Sequence, residues 1–148
     1  MKVFAENKKA HFNYEILEKL QAGLVLIGSE VKSIKAGRMT LDGSYVILKE
    51  GAPHLVGSRV PAWQPKNAPD SYDAERTRKL LLNKGEIDYL LGKTSHKGLV
   101  LIPLKIYDSH GRIKLEFGLG RGKKKYDKRE DIKKREAQRE IARRLGRN

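Results

Sequence analysis

Cysteine is missing from this chain, which excludes disulfides, thiolate metal sites and thiol nucleophiles and fits a reducing compartment. Tryptophan occurs once, and aromatic residues make up 7% of the 148 positions. Long apolar runs are also absent. The longest uncharged stretch, QAGLVLIGS, contains two glycines and falls well short of the roughly 18 residues of a membrane-spanning helix. The amino-terminal MKVFAENKKAH has neither an apolar segment nor a cleavage site, so no signal peptide is expected. The chain reads as a soluble, cytoplasmic protein with no membrane partner.

Negative charge is scarce: 18 Asp and Glu against 32 Lys and Arg give a net charge of +14. Such a balance makes polyanions the default partners. The surplus is uneven, because Arg121 to Asn148 holds 13 basic residues against 5 acidic ones. A chain of 148 residues buries one core. The expected division is therefore a domain over residues 1–120 and a basic tail over 121–148.

No catalytic set emerges. His11, His54, His96 and His110 lie apart without a ligand spacing, so no metal is expected. Asp108, Ser109 and His110 are triad residue types, but they are adjacent in an expected hairpin turn, whereas triads converge from distant segments. Glu30, beside Lys32 and Lys35, suggests a structural ion pair. Neither enzymatic activity nor a cofactor is expected.

The patterning predicts short elements. Ser29 can cap a helix that Gly37 stops. SYVILKE and HLVGSRV alternate around a Gly-Ala-Pro turn as a hairpin. PAWQPKNAPDSYDAER has three prolines and no period, and loops of this length often bind something. RKLLL is a strand, and Asn83 with Glu86 forms a capping box for a helix ending near Gly92. Two alternating strands flank DSHG: Val100, Ile102, Leu104 and Ile106 share one face, opposed by Ile113, Leu115, Phe117 and Leu119. Pro103 calls for an edge or a bulge. The fold class is mostly β with short helices, an antiparallel barrel of five or six strands of the oligonucleotide-binding (OB) type.

Basic groups flank nearly every element, in NKKAH, GSEVKSIKAGR, RTRK, RIK and GRGKKK. On a barrel these can converge on one phosphate-binding face. Phe12, Tyr14, Tyr45, Tyr107 and Phe117 suit core packing, whereas Trp63, Tyr72 and Tyr126 suit base stacking. The tail suits a helix opened by Asp127 with Glu130, but Ile132, Ala137, Ile141 and Leu145 form only a thin apolar stripe. So little burial cannot offset the ordering entropy, and the tail is expected to be disordered alone. The alternative reading is a general RNA-binding or ribosome-associated barrel whose tail only adds electrostatic affinity.

Four segments in order carry a resemblance: N-K-x-A-x-x-x-Y-x-I at Asn7 to Ile16, A-G-L-x-L-x-G-x-E-V-K-S at Ala22 to Ser33, R-K-L-L-L at Arg78 to Leu82, and G-x-G-K-K-x-Y-D-K-R-E from Gly120 to Glu130. With them the chain resembles, over essentially its whole length, the small protein B (SmpB) family, the tmRNA-binding or SsrA-binding proteins of bacterial trans-translation. The resemblance implies an OB-type barrel that grips the tRNA-like domain of tmRNA. It implies delivery of the charged RNA to stalled ribosomes, with elongation factor Tu bound indirectly through that RNA. It further implies a tail that becomes helical in the empty mRNA channel of the small subunit, next to the decoding centre, allowing tagging and ribosome rescue. The implied RNA-binding positions are Asn7, Lys8, Gln21, Leu81, Lys114, Arg121, Lys123 and Lys124. Those implied at the decoding centre are Tyr126, Asp127, Lys128 and Arg129. Gln21 stands where the family pattern usually has Glu.

Overall fold

Leu115, Phe117 and Leu119 alternate along an extended chain, and all three are buried, setting one wall of the core. The computed structural model describes residues 2–96, 98–123 and 125–145, with the side chains of 125–127 outside that description. Its elements are β1 (Val3–Glu6), α1 (Ala10–Asn13), β2 (Tyr14–Leu24), α2 (Gly28–Lys35), β3 (Tyr45–Lys49), β4 (Ala52–Val56), β5 (Arg78–Leu81), α3 (Lys84–Thr94), β6 (Leu99–Ser109), β7 (Arg112–Gly122) and α4 (Lys125–Leu145). Every strand pairing is antiparallel. The circuit β6–β3–β4–β5–β2–β7 closes where β7 returns to β6, and β1 adds to the edge of β6 beyond β3. The result is a six-strand barrel with an extra strand. It approximates the OB type, which has five.

Two tight turns are built alike. Glu50 and Gly51, then His110 and Gly111, have positive φ and join strands that pair up to Lys49↔Ala52 and Ser109↔Arg112. Two consecutive left-handed residues match the right-handed strand twist. The first turn thus comes before Ala52 and Pro53, which lie inside β4.

The expected single face on β6 is broken. Register slips between Pro103 and Lys105. Leu101 and Ile106 therefore enter the main core with Leu55, Leu80 and Phe117, whereas Ile102 and Leu104 join a smaller cluster with Ala10. Val100 is left largely exposed. β6 is paired on both edges, so Pro103, with no N–H to donate, sits at a bulge.

Helix ends differ from the sequence signals for identifiable reasons. The first residue of α2 is Gly28, not the one after Ser29, because the Glu30 carboxylate accepts the Ile27 N–H at 3.0 Å. α3 runs past Gly92, since the Thr94 and Ser95 hydroxyls donate to the carbonyls of Leu90 and Gly92. Its Asn83–Glu86 capping box is present as expected. α4 begins at Lys125, ahead of Asp127, after the Lys123 N–H is bound by the Asn13 carbonyl.

The tail takes the helical form expected of it when ordered, continuous from Lys125 to Leu145. Its anchors lie near its start. Lys128 Nζ and the Arg135 guanidinium lie 5.9 and 4.9 Å from the centre of the Phe12 ring, and Lys123 pairs with Asp131. From Ile132 onward every described residue is exposed, including the stripe of Ile132, Ile141 and Leu145.

Glu30 does not pair with Lys32 or Lys35. One helical turn directs it inward, where it is buried and accepts Arg76 Nη2 at 2.5 Å and Arg78 Nη2 at 2.6 Å. Burial alone would raise its pKa. The hydrogen bonds from Arg76, the Ile27 N–H and Arg78 outweigh that, and the carboxyl sits below its ordinary value. Arg78 is fully buried and also reaches Ser58 and the Ala74 carbonyl. The cluster fastens the proline-bearing segment to α2, helped by Ser33 Oγ donating to the Pro61 carbonyl at 2.7 Å.

Candidate nucleic-acid interface

Three of the RNA-binding candidates come together on the outer wall. Gly23 of β2 lies opposite Lys114 of β7 on one side and Leu81 of β5 on the other. Residues facing each other across a ladder project to the same side, and so does Gln21, two positions before Gly23. Ala22, between them, points into the core and is buried. Leu81 is 55% exposed and rests its Cβ and Cδ1 over Gly23, where an added Cβ would approach within 3.3 Å. The glycine therefore lets an apolar side chain lie flat beside a cation, a surface on which a base can rest next to a phosphate partner.

The position of Gln21 has a local reason. Its cross-strand neighbour is Glu116, held by Lys105 at 3.2 Å and Lys19 at 3.9 Å. A Glu at position 21 would face Glu116 directly, and like charges opposite one another are destabilising.

The remaining candidates lie elsewhere, Arg121 being seven residues and about 23 Å along β7 from Lys114. Asn7 donates from Nδ2 to the Pro103 carbonyl at 3.0 Å, and Lys8 is exposed beside it. Arg121 Nε meets Glu15 Oε2 at 2.9 Å, and that hydrogen bond holds the Glu15 carboxyl below its usual range. Lys123 is half-buried and turned toward Asp131, whose pKa it lowers. Lys124 and the side chains of Tyr126 and Asp127 lie outside the described residues. Lys128 faces Phe12, and Arg129 is exposed. Among the described residues the candidates therefore do not form a single patch: Gln21, Leu81 and Lys114 share one wall, Arg121 lies toward the far end of β7, and Asn7 sits against β6.

Several partners were not legible beforehand. Phe12, expected in the core, receives Lys128 and Arg135, whose spacing of seven puts both on one helix face. Tyr45, also expected in the core, is 50% exposed. Of the RTRK cations, Arg78 is structural. Tyr72 donates its hydroxyl to the Val60 carbonyl at 2.6 Å, so it braces the loop. Among the described residues no group of His, Asp and Glu could hold a metal, and no helix is long and apolar enough to cross a membrane.

Known proteins resemble this chain closely. The family model described as SmpB protein matches residues 4–147. An SsrA-binding protein of Salinispora tropica is 47% identical over 146 residues, covering 99% of this chain and 91% of that protein. One of Geobacillus kaustophilus is 49% identical over 142 residues, covering 96% and 91%. A solved structure presented as "tmRNA-SmpB: a journey to the center of the bacterial ribosome" aligns with a TM-score of 0.66 at 44% identity, over 81% of this chain and 84% of its own. The chain belongs to the SmpB family.

Proposed function

We propose that this protein binds tmRNA and acts in trans-translation. Residues 1–120 grip the tRNA-like domain, with Gln21, Leu81 and Lys114 as one contact surface. Asn7, Lys8, Arg121, Lys123 and Lys124 add further contacts. The protein accompanies the charged RNA, and elongation factor Tu with it, to a ribosome stalled on a message without a stop codon. There the tail, residues 121–148, enters the vacant mRNA channel. Tyr126, Asp127, Lys128 and Arg129 lie at the decoding centre, where no codon is present to pair. The compartment is that of the ribosome, the cytoplasm.

The observation that carries this reading is the convergence of Gln21, Leu81 and Lys114 from three strands onto one exposed face, in a chain whose relatives are named for binding SsrA. The tail fits its role in length and chemistry: 21 helical residues extend about 31 Å. Its basic rows suit an RNA-walled conduit better than a protein groove. Titration against tmRNA and an ordinary tRNA at rising salt tests the reading. A tmRNA affinity well above that for tRNA at every salt concentration is expected. Equal affinities and equal salt slopes would reduce the protein to a general RNA-binding barrel.

A further inference from the structure

Between the start of α2 and the proline-bearing segment lies a cleft of about 590 Å³, bordered by Ile27, Lys32, Trp63, Gln64 and Asn67. We propose that this cleft receives one unpaired RNA nucleotide, with its base stacked on Trp63. The inference rests on the RNA-binding reading above and extends it to a site away from the β2–β7 wall.

The cleft has the parts such a ligand needs. Its size suits a single nucleotide. The Arg38 guanidinium lies 4.7 Å from the centre of the Trp63 ring and donates to the Trp63 carbonyl at 3.2 Å, so the ring is held in place before any ligand arrives. The face turned away from Arg38 is the stacking surface. Gln64 and Asn67, joined by a 2.8 Å hydrogen bond, bring amide donors and acceptors to a base edge. Lys32, exposed on the neighbouring turn of α2, supplies a cation for the phosphate.

Both walls are fixed by the same buried charge. Glu30 belongs to α2, and Arg76 and Arg78 close the loop that carries Trp63. Tyr72, on the cleft, reaches Glu30 Oε2 at 3.3 Å. A buried carboxylate with two arginines stabilises a fold poorly compared with apolar packing. Its place here is explained by holding an open cleft at fixed width. The site is also continuous with the proposed RNA surface: β2 leads from Gln21 and Gly23 to Val25 and Ile27, which are 45% and 46% exposed.

Trp63 is the only tryptophan, so its emission reports this cleft alone. Excess single-stranded adenosine tetranucleotide should quench the wild-type protein saturably. Trp63→Leu should weaken by about tenfold the binding of whichever RNA supplies the nucleotide, whereas Trp63→Phe stays within about threefold of wild type. A loss confined to tmRNA assigns the nucleotide to tmRNA, and one confined to stalled ribosomes assigns it to ribosomal RNA. No quenching, or Trp63→Leu binding both partners like wild type, would overturn the site. Wild-type protein that fails to shift tmRNA at all would instead overturn the reading on which it rests.

Discussion

Glu30 and Lys114 show how differently charge is used on this barrel. Glu30 is removed from water and answered by two arginines. Glu30→Gln leaves Arg78 buried without its counter-charge and should cost about 3 kcal/mol in urea unfolding. Because its folded pKa lies below the unfolded value, the contribution of Glu30 is complete above the ordinary carboxylate range. It is lost as pH falls through the lowered folded value. The stability difference between wild type and Glu30→Gln should accordingly be constant near neutrality and shrink in acid. A difference that grew in acid would contradict the sign. Lys114, by contrast, sits half-exposed beside Leu81 on the outer wall. Lys114→Ala should weaken tmRNA binding by roughly 1 kcal/mol with little change in unfolding, measured by filter binding and urea melts on the same preparation.

Among the elements, β7 sets the distance between Lys114 and Arg121, and glycines let β2 and β7 approach. A Cβ at Gly120 would overlap the Glu15 carbonyl, and one at Gly118 would meet Ile16 Cγ2 at 2.8 Å. Gly120→Ala should destabilise by about 1–3 kcal/mol on thermal unfolding and displace the root of α4; full stability would show that the ladder relaxes freely. The β6–β7 hairpin was legible because alternation is a local signal, as at Leu115, Phe117 and Leu119. β2 was not, since Phe12, Tyr14 and Ile16 alternate while Ile16, Leu17 and Leu20 also suit a helix face. The split of β6 was not legible either. Pro103 announces a bulge, but which side chains cross to the second cluster depends on α1 lying over Ile102 and Leu104. Nor was the Glu30 cluster legible, since its arginines lie 46 and 48 residues away in sequence, while Lys32 and Lys35 stand nearby. The RNA-binding candidates came from family motifs, and pairing through Gly23 then brought three of them together. No periodicity in the sequence carries that convergence.

The whole molecule divides its charge between a closed barrel and a helix that projects from it. Phe12 and Asp131 tie down only the first turns of α4, and the remainder presents cations to solvent on every side. An isolated helix of this length is marginal in water. Its order in solution should therefore depend on a polyanionic surround. In the free protein, amides beyond Ile132 should exchange quickly, whereas on stalled ribosomes they should be protected; equal protection in both states would place the tail's order in its own fold. The most direct test of the account is to end the chain after Lys125 and measure tmRNA affinity and peptide tagging on stalled ribosomes side by side. The account predicts affinity close to that of the full chain with tagging abolished. Loss of both together, or tagging that survives the truncation, would contradict it.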